Sequence, residues 1–281
     1  MAKYIIGTGC SWTEGEGAYP DHVWKEYNGR VHRRAPADYL YPFEQEYSWV
    51  NVLSKDYLKD YKSINLGIKG IGNRAAVKQL YLTDKVNWAE DEGIIVLMLS
   101  GLDRFDFVVR KGPGGGYNNH YYTMWPYKRK PEESDHNAPL WEAYGDLVWS
   151  PEMAAMELFC NIKEAEQFVK GKNFKLIIAN AFHHEPIPWI IKTFLGESYY
   201  NQVDWNLFVH TEDASGNYAF IHELIELDGV MDMRDKNSFY SVYPNFDWPQ
   251  KYLTNDIHPT IEGYKHIAGR LYNFMQSRNY V

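Results

Sequence analysis

The residues of this chain best suited to chemistry stand near its two ends. Gly7-Thr8-Gly9-Cys10-Ser11-Trp12-Thr13-Glu14-Gly15 follows directly on a short apolar run, Lys3-Tyr4-Ile5-Ile6. That run reads as a buried strand, and the glycines read as a tight exit from it. A serine on such a turn is exposed above the C-terminal edge of a sheet, with backbone N–H groups close by. Its hydroxyl can attack an acyl carbon, and those N–H groups can stabilise the oxyanion that forms. The same stretch also fits an ordinary strand-to-helix turn capped by Ser11 or Thr13. The far end of the chain shifts the weight towards chemistry. There, Thr254-Asn255-Asp256-Ile257-His258-Pro259-Thr260 leads into a terminal helix. Such a turn can present an imidazole to a distant serine while an acid holds its other nitrogen.

Positioning a serine and a histidine from opposite ends of a chain requires a sheet edge shared by several turns. The pattern supplies one. Ser48–Leu58 has the apolar spacing of an amphipathic helix. Ser63–Gly67 reads as a second strand and its exit, followed by Gly70, Gly72 and a helix from Asn73 to about Val86. Gly93–Ser100 is continuously apolar, as a central parallel strand should be. Pro151–Val169 reads as a strong helix with Ser150 as N-cap and proline at its first position. Phe174–Ala179 is a fourth strand, and the chain closes with a helix over about Thr260–Arg278. Strands alternating with helices imply an α/β fold, a central parallel sheet with helices on both faces. Ligands of such sheets bind beyond the C-terminal strand ends, where the turns at Ser11, Gly70, Gly101 and Asn180 all fall. His183 and His184 stand on that edge as well, where a structural role is the simpler reading.

Three stretches interrupt the alternation, at about 16–46, 105–150 and 186–252. The first is rich in Tyr, Pro, His and Arg without a clear period, and reads as a surface-packed loop or one wall of a pocket. The second has Gly112–Gly116 as a flexible tip beside Tyr117, Tyr121, Tyr122, Trp125 and Tyr127. The third is mixed, with a short helix around Tyr218–Leu227, a short edge strand or loop at Val230–Asp235 and an aromatic loop over Tyr240–Tyr252. Dense aromatics on polar loops suit stacking on sugar-like ligands, and suit a protein interface equally well. With no internal repeat and no low-complexity linker, the 281 residues read as a single domain with these insertions.

Composition narrows the class. The chain is 45% hydrophobic and 23% charged, which places it among globular proteins. Its net charge of −8, with no basic cluster, argues against nucleic acid as a partner. No apolar run approaches the ~20 residues of a membrane span. No signal peptide precedes the first strand, so a cytoplasmic location, or assembly into a particle made there, is expected. The two cysteines, Cys10 and Cys160, read as reduced thiols. There is no dinucleotide fingerprint after the first strand.

Four short blocks spread over nearly the whole chain resemble the SGNH hydrolases, the GDSL lipase/esterase superfamily. They are Gly9-Cys10-Ser11 with Thr13-Glu14-Gly15; Asn65-Leu66-Gly67-Ile68-Lys69-Gly70; Gly101-Leu102-Asp103-Arg104; and Asp256-Ile257-His258-Pro259 with Gly263-Tyr264 beyond. The resemblance implies a three-layer α/β/α, flavodoxin-like sandwich and ester hydrolysis through an acyl-enzyme, with no metal and no organic cofactor. It makes Ser11 the nucleophile and His258 the base. The N–H groups of Ser11 and Gly70 would form the oxyanion hole, and Asp103 would stand at its third place. The blocks depart from the family pattern in three ways. Cys10 replaces an aspartate beside the nucleophile, and its thiol is an alternative nucleophile. Asp103 stands where an asparagine belongs; an ionised carboxylate there would repel the oxyanion, so a protonated Asp103 or Asn73 are the alternatives. Asn255 stands three residues before the histidine, where the acid belongs, which leaves Asp256, two before it, to orient His258, with Asn255 as the weaker alternative.

The aromatic insertions point to a carbohydrate or another bulky polar ester, with O-acetyl groups on a glycan as the expected substrate. A thioesterase or acyltransferase is a further reading of the same residues. The alternative of a different kind is a catalytically weak or inactive binding or structural protein on this scaffold, such as a phage-particle component incorporated into a virion. Its aromatic loops would then mediate a homo-oligomer or a larger assembly.

Overall fold

The structure is a computed structural model that describes residues 1–29, 31–102, 104–108, 121–124, 143–181, 183, 185–211, 218–229, 249–254 and 257–281. At its centre four parallel strands, β1 (Lys3–Thr8), β2 (Lys62–Asn65), β3 (Glu92–Leu99) and β6 (Asn173–Asn180), lie in the order β2-β1-β3-β6. The register pairs Ile6 with both Ile64 and Ile95, and Leu97 with Ile178, so apolar side chains of neighbouring strands share a face. Two further strands, β4 (Phe105–Val108) and β5 (Tyr121–Met124), form an antiparallel ribbon inside the second insertion.

Because successive residues of a strand point to opposite faces, the sheet builds two cores. On one face Ile6, Ile95, Leu97, Leu99 and Ile178 pack against α6 (Asn73–Leu82), α7 (Pro151–Val169) and α8 (Ile187–Leu195). On the other, Ile5, Ile94, Val96, Met98 and Ile177 meet α1 (Ser11–Glu14), α5 (Trp49–Val52), α10 (Phe220–Leu227) and α11 (Ile261–Ser277). The three-layer α/β/α sandwich expected from the alternation is present. Each buried branched aliphatic contributes roughly 1.5–3 kcal/mol of transfer free energy, so the two cores hold the strand ends, and the turns leaving them, in place.

The helices begin and end close to where the sequence placed them. Ser150 Oγ accepts the N–H of Met153, capping α7 behind a proline at its first position. Residues 49–57 are helical but change pitch midway: α5 widens at Leu53–Tyr57 into a π-turn. The helix after β2 stops at Leu82, short of Val86.

The stretch at 16–46 differs from the expected aperiodic loop. It folds as α2 (Asp21–Glu26), α3 (Val31–Arg34) and α4 (Ala37–Tyr47) over a small core of Tyr19, Val23, Trp24, Val31 and Leu40. Two of these helices follow directly on prolines, Pro20 and Pro36, whose extended backbone marks the chain entry. The third insertion likewise holds α8 and a single turn, α9 (Glu197–Tyr200), before the expected α10. The glycine tip at 112–116, Tyr117, Trp125, Tyr127, the segment 230–235 and residues 240–248 lie outside the described residues. Among the described residues no helix is long and apolar enough to cross a membrane. Both cysteines are free, Cys10 buried and Cys160 exposed.

Candidate active site

The exit from β1 is a two-residue step, Gly9-Cys10, onto the single turn α1. The Cys10 carbonyl accepts the N–H groups of Thr13 and Glu14, which fixes Ser11 as the first helical residue. Cys10 itself turns inward: its side chain is fully buried in the apolar cluster with Ile5, Trp12 and Trp49. The residue next to the serine is thus a core side chain, and the thiol is not presented at the sheet edge. Ser11 faces the other way, and its Oγ lies 2.9 Å from Nε2 of His258. This contact brings the two ends of the chain together.

The His258 turn is tightly closed. Thr254 N–H donates to the His258 carbonyl, His258 N–H donates to Thr254 Oγ1, and a β-bridge pairs Leu253 with Pro259. Thr260 then caps α11 by accepting the N–H of Gly263. Ile257 has φ of +67°, a left-handed conformation that a β-branched residue adopts at a cost of about 1–3 kcal/mol. Strain of this kind, one residue before the imidazole, is held by the hydrogen bonds around it. Asn255 and Asp256, the two candidates for orienting His258, lie outside the described residues.

A carboxylate that sequence reasoning did not single out also reaches the imidazole. Glu16 Oε2 lies 3.2 Å from Nε2 of His258, the same nitrogen that faces Ser11. The other Glu16 oxygen lies 3.7 Å from Nζ of Lys69, which in turn bonds Glu44 Oε1 at 2.7 Å. Tyr19 donates to the same Glu44 oxygen at 2.5 Å. Glu14 completes the group. Burial is the main reason its carboxyl rises to about 7, with Lys69 opposing and Glu44 adding to the rise. Three carboxyl groups thus share one lysine beside the serine. Tyr264, from the last block, donates its hydroxyl to the Glu16 carbonyl at 2.8 Å and so fastens this segment to α11.

The second block is built onto α1. Asn65 Nδ2 donates to the carbonyls of Thr13 and Glu14, and its Oδ1 accepts the N–H of Gly67. A Cβ on Gly67 would collide with the backbone of Thr13 and Glu14, so only glycine lets the two turns touch. Gly70 is different: its φ is +77° and nothing lies within 4 Å of where a Cβ would be. It borders open space.

The third block is partly structural. Asp106, buried on β4, accepts the N–H groups of Gly72 at 2.8 Å and Ala75 at 2.9 Å, capping α6 with a carboxylate from another element. Arg104 donates to the Ile71 carbonyl. Asn73 does not stand free to replace the missing asparagine: its Oδ1 accepts Ser100 N–H at 2.6 Å and its Nδ2 donates to the Ser100 carbonyl. Asp103 lies outside the described residues. His183 is a structural residue, its Nε2 2.6 Å from the Ser100 carbonyl and its N–H on Asn180 Oδ1. His184 lies outside the described residues. Among the described residues no group of three or more His, Cys, Asp or Glu is placed to hold a metal ion.

No protein-family model matches the chain, and no curated protein matches it in sequence. Solved structures do align along almost its full length. TesA is similar at 12% identity and a TM-score of 0.42, covering 98% of each chain. A lipolytic protein of the G-D-S-L family from Veillonella parvula is similar at 10% identity and a TM-score of 0.42, covering 97% of each. A putative lipolytic protein of the same family from Desulfitobacterium hafniense is similar at 14% identity and a TM-score of 0.38, covering 98% of this chain and 99% of that one.

Proposed function

We propose that the chain is a serine esterase. Ser11 attacks the acyl carbon as Nε2 of His258 takes its proton, and the tetrahedral oxyanion is held by the N–H groups of Ser11 and Gly70. His258 then gives its proton to the leaving alcohol, and water, activated by the same nitrogen, releases the acid from the acyl-enzyme. In this mechanism the role of orienting the imidazole is assigned to Asp256 and that of a third oxyanion donor to a protonated Asp103. The observation that carries this reading is the 2.9 Å contact between Ser11 Oγ and His258 Nε2 at the C-terminal edge of a parallel sheet. A serine held against an unrelated histidine by two separate tight turns has no evident structural purpose, since neither turn needs the contact to close.

For substrate we propose O-acetyl groups on a carbohydrate, on the strength of the aromatic-rich insertions in the sequence. Acetate release from acetylated glycans and from a small aryl acetate tests both parts. The esterase reading expects turnover of the aryl ester that falls by at least about 10³-fold in Ser11→Ala. The glycan reading further expects kcat/KM to be higher on an acetylated sugar. An aryl esterase indifferent to sugars would leave the first part standing and remove the second. A folded wild type without turnover, and with Ser11→Ala identical to it, would favour the binding or structural protein instead.

A further inference from the structure

The standard chemistry of a serine hydrolase needs a neutral histidine whose Nε2 lone pair faces the serine hydroxyl. Here the same nitrogen also faces a carboxylate oxygen, Glu16 Oε2, at 3.2 Å. A lone pair and a carboxylate repel, so that contact is attractive only with a proton between them. Lys69, 3.7 Å from the other Glu16 oxygen, favours the ionised carboxylate. An ionised carboxylate this close to the ring favours the charged imidazolium over the neutral form. We propose that Glu16 is a positioning residue that holds an extra proton on Nε2 of His258 and so sets the pH at which the base is released. The inference rests on the reading of His258 as the base of Ser11, but its central measurement does not require activity.

On the Glu16 side, among the described residues, stand Glu14, Glu44 and Lys69; Tyr264 from α11 reaches the backbone carbonyls of Glu16 and Ser11. Glu44 favours the imidazolium, as does Asp256 in the proposed mechanism; Glu14, whose carboxyl is raised to about 7, adds to this only as it ionises, and Lys69 opposes it. His258 is 19% exposed and Glu16 18%, enough for the proton to leave to water and too little for full screening. In the resting imidazolium both ring nitrogens carry protons, and the Nε2 proton lies beside Ser11 Oγ and Glu16 Oε2; its loss to solvent leaves the neutral Nδ1–H ring, whose Nε2 lone pair faces the serine. Nε2 then takes the Ser11 proton during attack, and the imidazolium formed is again paired with Glu16 until its proton passes to the leaving alcohol. Glu16 thus lowers the fraction of competent base at acid pH and steadies the charged histidine once the reaction has begun. A carboxylate in this position also keeps a second acceptor about 3 Å from the atom that protonates the leaving group.

The test is a histidine side-chain NMR titration of wild type, Glu16→Gln and Glu16→Asp, with His258 assigned from the signal lost in His258→Asn. His258 is expected to titrate about one pH unit above the ordinary imidazole value of ~6.5. Glu16→Gln, which keeps shape and removes charge, should lower the midpoint by about one unit, and Glu16→Asp, one methylene shorter, should fall between. In parallel, the acid limb of Ser11 labelling by a fluorophosphonate should move by the same amount, giving faster labelling in Glu16→Gln at pH 6 by several-fold. A midpoint in Glu16→Gln within about 0.3 units of wild type would overturn the proposal. If the midpoint shifts and no variant labels at any pH, the proton-sharing stands and the esterase reading fails.

Discussion

At the scale of single residues, the site is defined by which side chains reach one imidazole nitrogen. Ser11 and His258 could be singled out because each sits in a short turn whose glycine, proline and capping signals can be read locally. Glu16 was not. Nothing in its spacing from Ser11 announces that its carboxylate returns to the histidine; that depends on the turn at Gly15 and on Tyr264 holding the Glu16 backbone. Glu14 makes a separate prediction. Its folded pKa is about 7, raised from 4.5 chiefly by burial, so the folded state binds the proton more tightly than the unfolded chain. The cost of ionising it is absent below about pH 4.5 and grows as pH rises, until it is complete above the folded value. Wild type should lose up to ~3 kcal/mol between pH 5 and pH 8 from this group. Glu14→Gln should lack that loss and be the more stable protein at pH 8. Urea midpoints at the two pH values would show it, and parallel pH dependence in both proteins would contradict it.

At the scale of elements, the turns leaving β1 and β2 are welded to each other by Asn65 and Gly67. Gly67→Ala should cost about 2–4 kcal/mol, because a Cβ there meets backbone that cannot step aside. Gly70→Ala meets open space and should cost only about 1 kcal/mol, from its left-handed φ. On the proposed mechanism it should nonetheless reduce activity more than its effect on stability implies, because the strained φ shifts the backbone assigned to the oxyanion hole. Thermal melts and kcat/KM on the same two variants separate the cases; equal stability losses would be contrary to this account. The four central strands could be read because each is an unbroken apolar run or pairs with one. The helices at 21–47 were hidden by tyrosines, prolines and histidines that interrupt the apolar period, and they fold because they close over their own small core. Helix α8 was missed although Ile187, Ile190 and Ile191 have helical spacing and are buried, because Pro186 and Pro188 at its start interrupt the local pattern. The capping of α6 by Asp106 could not be foreseen, since its partners are brought together only when β4 folds back.

At the scale of the molecule, the histidine turn is held by what lies behind it. Glu223 on α10 accepts His210 Nε2 at 3.1 Å, His266 Nε2 at 2.8 Å and the Arg270 guanidinium at 2.7 Å, joining α10 to α11. Burial alone would raise this carboxyl, but the hydrogen bonds from His210, His266 and Arg270 outweigh it and hold the group well below the ordinary range. Its contribution is therefore present above the unfolded value near 4.5 and lost only as pH falls through the folded one. Glu223→Gln takes the charge from a carboxylate whose guanidinium partner, Arg270, is part-exposed, and should cost about 2 kcal/mol, lowering Tm by roughly 5 °C at pH 7. It should slow Ser11 labelling much less than it lowers Tm, because the group supports the helix and does not touch the reacting atoms. The whole arrangement follows from the sheet: two cores fix four strand ends, and one edge collects the turns that carry Ser11, Gly70 and His258.

The most direct measurement is reaction of the folded protein with a fluorophosphonate probe, read by intact mass and peptide mapping in wild type, Ser11→Ala and His258→Asn. This account predicts one adduct per chain, mapped to Ser11, absent from Ser11→Ala and slowed at least about 100-fold in His258→Asn. Wild type that is folded and unlabelled, or an adduct that persists in Ser11→Ala, would contradict it.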